Sequence, residues 1–258
     1  MSKIRKDEMF YANGQIREQW SWNSPLDEEF KFWNESGQLK VHAFYRNGKL
    51  EGEKKWWHQN GNLESRKFYH DGKLEGESIF WYSNERIRVQ EFYRNGKLEG
   101  ERKVWYINGQ LRAQLGFQNG KLHGKSIHFC ESGRISMQKF YRDGKLEELK
   151  MWHENGQPKI QKFYRKGKPE GKRIFWYRNG LPHTLKVYQD GRVGEYKIWS
   201  VDGKLKSQRL YHGKHFYIPL TPMKKITLLR ARRRFFTRQF LSVIDSCIIP
   251  DLAKIVFG

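Results

Sequence analysis

A segment of about 24 residues is repeated along this chain, and its period limits what the chain can fold into. The stretch EFYRNGKLEGERKVWYINGQ, which begins at Glu91, has near copies that begin at Ala43 and Lys67. The glycine of the Asn-Gly-Gln type of turn recurs every 23 or 24 residues, at Gly14, Gly37, Gly61, Gly109, Gly133, Gly156, Gly180 and Gly203, with Glu85 in the place of one glycine. A second glycine series lies half a period away, at Gly48, Gly72, Gly96, Gly120, Gly144, Gly167, Gly191 and Gly213. A fixed period of this length indicates a repeat architecture.

Each repeat carries two tight-turn signals, and together they predict β-hairpins. Asn-Gly and Asp-Gly pairs between aromatic runs favour hairpins, because turns that match the twist of the strands need positive φ at their central residues. Two turns per repeat leave about eight residues per strand, so about nine repeats predict roughly sixteen to eighteen antiparallel strands. With strands ~4.8 Å apart, the sheet would be ~85 Å long, which exceeds a compact domain of this mass. The sequence therefore predicts an all-β fold, an elongated single-layer twisted sheet.

Two columns of aromatic residues repeat in register with the turns. One stands four positions before each glycine of the first series: Phe10, Trp33, Trp57, Trp81, Trp105, Phe129, Trp152, Trp176 and Trp199. The other stands three positions before each glycine of the second series: Tyr45, Tyr69, Tyr93, Phe117, Tyr141, Tyr164, Tyr188 and Tyr211. Neighbours in a strand point to opposite faces, so a pair such as Phe92 and Tyr93 supplies both faces. We interpret the columns as packing residues of the sheet, with stacking on a ligand as the alternative.

The unit FYRNGKLEGERKVWYINGQL, from Phe92 to Leu111, resembles the MORN repeat, in the variant with Asn-Gly turns that occurs in bacterial antitoxin-like proteins and in large DNA viruses of amoebae. The resemblance covers about residues 8–218, in about nine copies. It implies an elongated, twisted sheet that serves as a scaffold or docking surface and often self-associates. It also implies a viral origin, with placement in the virion or the host cytoplasm. The pattern weakens at Glu148, where other repeats have glycine, and over residues 20–28, as a capping repeat would.

The chain carries a large surplus of positive charge. Fifty Lys and Arg residues against twenty-eight Asp and Glu give a formal net charge of +22, which favours acidic or phosphate-bearing partners. The lysine after each glycine of the second series predicts a row along one edge of the sheet: Lys49, Lys73, Lys97, Lys121, Lys145 and Lys168. Such a row suits a polyanion, either nucleic acid or anionic phospholipid. The alternative is that charged turns only discourage edge-to-edge aggregation of the sheet.

No motif points to catalysis or to a bound cofactor. Carboxylates recur in several repeats, for example at Glu51 and Glu75, whereas an active site is one constellation; we interpret them as exposed ion pairs with lysines. His58 and His153 share a repeat position, but four repeats, roughly 40 Å, separate them, so they cannot share a metal ion. The Gly-Lys pairs are followed by Leu and belong to hairpins rather than to a phosphate-binding loop. We therefore predict a non-enzymatic protein with no metal, no cofactor and no small-molecule substrate.

Residues 219–258 differ in composition from the repeats. The pair Thr221-Pro222 is a helix start, and the apolar residues that follow recur at spacings of three and four. The first half of this segment is strongly basic and contributes further candidate contacts: Lys224, Lys225, Arg230, Arg234 and Arg238. We predict an amphipathic α-helix that caps the open end of the sheet. The alternatives are that it docks a partner, or that its arginines bind anionic lipid or nucleic acid.

The sequence divides into an N-terminal segment, 1–7, the repeats, 8–218, and the basic helical segment, 219–258. The function that best fits is a non-catalytic scaffold for protein-protein interaction, with a protein partner or self-association. A polyanion-binding module is the first alternative, and an antitoxin-like inhibitor, implied by the resemblance, is the second. Two cysteines without Cys-X-X-Cys spacing, a polar N-terminus and the absence of ~18 consecutive apolar residues predict an intracellular, cytoplasmic protein.

Overall fold

The computed structural model describes residues 5–22, 24, 26–212 and 216–219, and they form a single open antiparallel sheet. The strands are β1 (Arg5–Phe10), β2 (Ile16–Trp22), β3 (Asp27–Trp33), β4 (Leu39–Arg46), β5 (Lys49–Leu50), β6 (Gly52–Trp57), β7 (Leu63–His70), β8 (Lys73–Leu74), β9 (Gly76–Trp81), β10 (Ile87–Arg94), β11 (Lys97–Leu98), β12 (Gly100–Trp105), β13 (Leu111–Gln118), β14 (Lys121–Phe129), β15 (Ile135–Arg142), β16 (Lys145–Trp152), β17 (Pro158–Arg165), β18 (Lys168–Pro169), β19 (Gly171–Trp176), β20 (Pro182–Gln189), β21 (Arg192–Trp199), β22 (Leu205–His212) and β23 (Phe216–Pro219). The all-β antiparallel architecture predicted from the repeats is thus confirmed.

The strands follow one another as a meander. β1 pairs with β2, β2 with β3 and β3 with β4, and the same neighbour-to-neighbour pairing continues to β22 and β23. The two-residue strands β5, β8, β11 and β18 pair with the strand before them, which is β4, β7, β10 or β17. The strands that follow them, β6, β9, β12 and β19, pair with the same four strands. Contacts between the described strands join neighbours within the sheet. The predicted C-terminal helix lies outside the described residues.

The described residues form 23 strands, whereas the sequence predicts sixteen to eighteen. Four strands are interrupted by a single residue, and nineteen remain when each interrupted strand is counted once. The interruptions fall at Glu51, Glu75, Glu99 and Glu170. Each is followed by a glycine with a φ between 69° and 81°, outside the range of regular strands. β14 and β16 run unbroken through the equivalent position, and β16 has Glu148 there instead of glycine.

Both turn series adopt the backbone that their residues favour. In the second series the residue before each glycine also has positive φ, near 50°, for example at Asn95 and Asp143. Two consecutive residues with positive φ are what a two-residue type I′ hairpin requires, and Asn and Asp tolerate this conformation best. In the first series Glu85 adopts a φ of 65° where the other repeats have glycine. The turn chemistry read from the sequence therefore accounts for the hairpins.

The aromatic residue that precedes each first-series turn is the last residue of its strand and lies at a bulge. Trp105 pairs with Leu111, whereas the residue before it, Val104, pairs with Ala113, so Arg112 is left over. Besides the exposed Phe10, the same register shift occurs at seven equivalent hairpins, at Trp33, Trp57, Trp81, Phe129, Trp152, Trp176 and Trp199. These side chains are half-buried. Each therefore sits at the same place in its hairpin, beside an apolar or proline residue of the next strand.

The two faces of the sheet differ in what they carry. Tyr69, Lys67 and Ser65 lie opposite Gly52, Lys54 and Trp56 in the register of β6 and β7, so they share one face, which we call the tyrosine face. The other face carries the residue that precedes each tyrosine, which is most often phenylalanine, and we call it the phenylalanine face. Phe44, Phe92 and Phe140 are exposed there, whereas the tyrosines are half-buried. The buried side chains of the tyrosine face are small, apart from Glu91: Ala43, Ser65, Ser78, Ala113, Ser126 and Thr184.

Candidate functional site

The lysines predicted to form a row lie together along one edge of the sheet. Lys49, Lys73, Lys97, Lys121, Lys145 and Lys168 are exposed, and each follows a second-series turn directly. Except at Lys145, their stems rest against the next turn: the Cβ of Lys97 lies 3.6 Å from the position that a Cβ on Gly120 would occupy. The corresponding distance is 3.7 Å from Lys49 to Gly72. We call this set the turn-lysine row; the packing of one stem against the next turn gives it a regular spacing.

Acidic side chains of the same turns bind the backbone of the following repeat. A carboxylate oxygen of Glu51 accepts a hydrogen bond from the backbone N–H of Asp71 at 2.8 Å. Equivalent bonds join Glu75 to Asn95, Glu99 to Asn119 and Glu170 to Asp190, at 2.7 to 2.9 Å. The backbone hydrogen bond from Asp71 and a further one from the His70 ring hold the pKa of Glu51 below its ordinary value. These carboxylates, interpreted from the sequence as exposed ion pairs with lysines, hold successive turns together.

One lysine of the row is already paired. The ammonium of Lys49 lies 2.6 Å from Asp71 Oδ1, and this hydrogen bond lowers the pKa of the Asp71 carboxyl. At the next turns the residue in the place of Asp71 is Asn95 or Asn119, which carries no charge. The positive charge of the turn-lysine row is therefore less neutralised at Lys73 and Lys97 than at Lys49.

A tyrosine or histidine that follows an aromatic of the first column links adjacent repeats at the opposite edge of the sheet. The hydroxyl of Tyr82 donates to the carbonyl oxygen of Trp105 at 2.7 Å, and Tyr106 donates to Phe129 in the same way at 2.9 Å. Tyr11 and Tyr177 make the equivalent bonds, to Trp33 and Trp199. His58 and His153 occupy this position in their repeats, with Nε2 3.0 Å from the Trp81 carbonyl oxygen and 3.2 Å from that of Trp176. The two histidines thus replace tyrosine in a structural contact.

The phenylalanine face carries charges that neutralise one another. Glu101 lies 3.4 Å from the ammonium of Lys103 and accepts a 2.6 Å hydrogen bond from the Gln114 side chain. The same arrangement of Glu, Lys two residues later and Gln thirteen residues later recurs at Glu148 and Glu195. Glu29 has His42 in the place of Gln. Partial burial opposes ionisation of Glu29, but hydrogen bonds from Lys31, His42 and Ser21 outweigh it and lower the pKa.

The tyrosine face carries a row of cations that sequence reasoning missed. Four of its members stand two residues before a tyrosine: Lys67, Lys139, Lys162 and Lys186. The other two, Lys54 and Arg173, stand two residues after the glycine that ends a Gly-Lys-X-X-Gly segment. Several lie over aromatic rings, with the Lys54 ammonium 4.6 Å from the Trp56 ring centroid and the Lys67 ammonium 5.1 Å from it. Burial, and then the charge of Lys67, lower the pKa of Lys54. Alternate residues of a strand point to the same face, and this pattern in the sequence could have located the row.

The tyrosines of this face are shielded from water. Burial is the main cause that raises the pKa of Tyr45, Tyr69 and Tyr93. The Tyr93 hydroxyl also donates a 2.7 Å hydrogen bond to Glu91, which opposes its ionisation further. Glu91 itself is buried and lies 2.9 Å from Arg102 Nε. The middle of the tyrosine face is therefore a packed network of tyrosine, carboxylate and guanidinium.

Some of the predicted contacts lie in the part of the chain that the structure does not describe. The basic contacts Lys224, Lys225, Arg230, Arg234 and Arg238 lie outside the described residues. Among the residues that are described, no three His, Cys, Asp or Glu side chains are grouped as a metal site would require. In the same part of the chain there is no helix long and apolar enough to cross a membrane.

Comparison with known proteins identifies the family of the repeats. The model of the MORN repeat variant matches four segments, residues 29–47, 50–71, 98–119 and 148–166. No curated protein matches the chain. Three solved crystal structures, of TcdB2-TccC3, TcdB2-TccC3-Cdc42 and TcdB2-TccC3 without its hypervariable C-terminal region, align with 81 to 83% of this chain at 10% identity.

Those alignments reach TM-scores of only 0.22 to 0.23, too low to indicate a shared fold, and this chain spans about 14% of the length of the solved chains. The matched repeat segments, in contrast, coincide with the hairpin units of the sheet. Residues 98–119, for example, run from β11 to the turn after β13. Sequence match and hairpin period agree, and the chain therefore contains repeats of the MORN variant.

Proposed function

We propose that the chain is a non-catalytic scaffold whose repeat sheet presents a binding surface to a protein partner. One observation carries this proposal: the polar side chains that recur in the repeats are engaged in joining one repeat to the next. Tyr82, Tyr106 and Glu75 each bond to backbone groups 20 to 23 residues later. An active site needs polar groups that converge on one reacting atom, whereas these groups are distributed along the two edges.

The flat and extended surface left between the edges supports a docking role. Exposed phenylalanines at Phe44, Phe92 and Phe140 recur on one face, and apolar side chains spaced at regular intervals can bury surface against a partner. Solenoid proteins present such repeated surfaces to extended partners. The proposed partner contact therefore spans several repeats rather than a single pocket.

Cross-linking mass spectrometry in the native source tests the scaffold. We expect one partner protein, or a second copy of this chain, cross-linked at lysines of at least three consecutive repeats. The triple substitution of Phe44, Phe92 and Phe140 by Ser should reduce that set of cross-links, while the substitution of the exposed turn residue Ile107 by Ser should leave it intact. Cross-links confined to a single repeat, or none on the repeats, would contradict an extended docking surface.

A second candidate function is the binding of a polyanion by the turn-lysine row. The observation that favours it is the packing of five of the six lysine stems against the next turn, which places these lysines in a row along one edge. Binding of DNA or acidic vesicles should then weaken steeply as salt rises, with a smaller log-log slope after Lys73, Lys97 and Lys121 are changed to Gln. Undetectable binding at about 50 mM salt would remove this candidate.

A further inference from the structure

Three cations lie side by side on the tyrosine face near the carboxyl end of the described sheet. Arg173 of β19 is directly opposite Lys186 of β20, and Lys162 belongs to β17 on the other side of β19. The Lys162 ammonium lies 5.7 Å from the centroid of the Phe175 ring, and the Arg173 guanidinium lies 5.3 Å from it. The Lys186 ammonium lies 5.0 Å from the centroid of the Tyr196 ring. We call Lys162, Arg173 and Lys186 the inner cation cluster.

The inner cation cluster lacks the acidic partners that other cations of the sheet have. Across residues 26–212, neither Lys162, Arg173 nor Lys186 has a carboxylate within 4.0 Å. Arg173 Nε is also buried and makes no hydrogen bond within that range. On the same face Arg102 is paired with Glu91 at 2.9 Å, so a carboxylate can be accommodated there. Lys54, Lys67 and Lys139 of the same face also have no ion pair within the described residues, and Lys54 lies directly opposite Lys67. The inner cation cluster differs from them because it brings three unpaired cations together on neighbouring strands.

Such an arrangement is unfavourable in the free protein. Like charges directly opposite each other in an antiparallel pair destabilise the sheet, and half-burial of the stems weakens screening by water. Burial, and then the charge of Arg173, lower the pKa of Lys162. An anion placed between the three groups would remove the repulsion and satisfy the free Arg173 Nε at once. The geometry therefore favours an anionic ligand at this point of the face.

We propose that the inner cation cluster binds an acidic segment, rich in Asp or Glu, of a protein partner. This inference rests on the proposed scaffold function and names its partner class. Nucleic acid is disfavoured, because the Phe175 and Tyr196 ring faces are already occupied by cations and are not available to stack bases. The basic stretch of this same chain, with seven Lys or Arg and no acid between Lys224 and Arg238, would be repelled.

Two triple variants of the full chain with the same change of charge test the site. In the inner variant Lys162, Arg173 and Lys186 become Gln. In the control variant Lys103, Lys125 and Lys172, which lie on the phenylalanine face and outside the turn-lysine row, become Gln. The probe is a fluorescent decaglutamate peptide, measured by anisotropy at low salt, with a decathymidine oligonucleotide as comparison. We expect wild type and the control variant to bind the peptide similarly, and the inner variant to bind at least about tenfold more weakly.

Unfolding does not account for that loss, because removal of like charges should leave the melting temperature of the inner variant equal to or above that of wild type. The peptide should raise the melting temperature of wild type but not that of the inner variant. Equal loss in both variants would show a response to net charge only and would overturn the site. Loss of oligonucleotide binding in the inner variant, without peptide binding by wild type, would overturn the acidic segment as ligand.

The scaffold and the inner cation cluster can fail separately. If the cross-linked partner is recovered equally by wild type and the inner variant, the assignment of the cluster is wrong while the scaffold stands. If wild type has no partner but binds decaglutamate through the cluster, the scaffold is wrong while the anion site stands.

Discussion

Gly116 stands where most repeats have phenylalanine, and the neighbouring strand leaves no room for a side chain there. A Cβ on Gly116 would lie 2.3 Å from the backbone carbonyl oxygen of His123, closer than any real contact. The register of β13 and β14 also shifts at this point. The residue is therefore required by a close approach of two backbones, although its position in the repeat suggests only a lost aromatic.

Substitution of Gly116 by Ala should destabilise the protein by about 1–3 kcal/mol, because one of the two backbones must move. Gly194 provides the matched control, since a Cβ there would have Val187 O as its nearest neighbour at 3.9 Å, an ordinary contact. Urea denaturation of the two variants measures the difference. Equal midpoints would show that the approach at Gly116 relaxes without penalty.

Alkaline pH should separate the shielded tyrosines from ordinary ones. The pKa values of Tyr45, Tyr69 and Tyr93 are raised above the usual 10.0, chiefly by burial. A group with a raised folded pKa contributes stability that is complete below its unfolded pKa and is lost as the pH rises through the folded value. Stability should therefore fall only above pH 10, together with late phenolate absorbance. Replacing the three residues by Phe should remove that late absorbance, and a titration unchanged by the replacement would contradict the shielding.

At the scale of the element, the hairpin of each repeat could be predicted from the sequence, whereas the one-residue interruption of a strand could not. Asn-Gly and Asp-Gly pairs with a fixed period specify the turns by local chemistry, so the antiparallel meander follows from the sequence. The carboxylate of Glu51 binds a backbone N–H of Asp71, twenty residues away, and that N–H is in place only when two repeats have packed. The tyrosine-face cations likewise become adjacent only once strand register is known. Contacts between repeats are where local sequence patterns lose their predictive power.

The hydroxyl bonds between repeats should have a measurable effect on stability. Substitution of Tyr106 by Phe removes its 2.9 Å bond to the Phe129 carbonyl oxygen and should cost about 1 kcal/mol. Tyr141 is the control, because its hydroxyl makes no hydrogen bond within the described part of the chain, and its change to Phe should be nearly neutral. Thermal unfolding of both variants compares them. A Tyr106 variant as stable as the Tyr141 variant would show that water replaces the bond.

At the scale of the whole molecule, a sheet built by adding neighbours has no compact core. The described strands contact their sequence neighbours, and the fully buried side chains of the sheet are as small as Ser78 and Ser126. A globule of 258 residues would have a radius of gyration of ~18 Å. Small-angle X-ray scattering should give a clearly larger value and a pair-distance distribution with a long tail. A value near ~18 Å would mean that the sheet closes on itself or is covered in solution.

Among the described residues, the hydrogen bonds that join a side chain of one repeat to the backbone of another run in one direction, from a side chain to the repeat that follows it. Tyr82 reaches forward to Trp105, Glu75 to Asn95 and Asn60 to the carbonyl oxygen of Ser83. Because a ribosome makes the amino end first, each new hairpin emerges beside side chains that are already in place to receive its backbone. Assembly can then proceed in step with translation, with each finished repeat acting as the template for the one that follows.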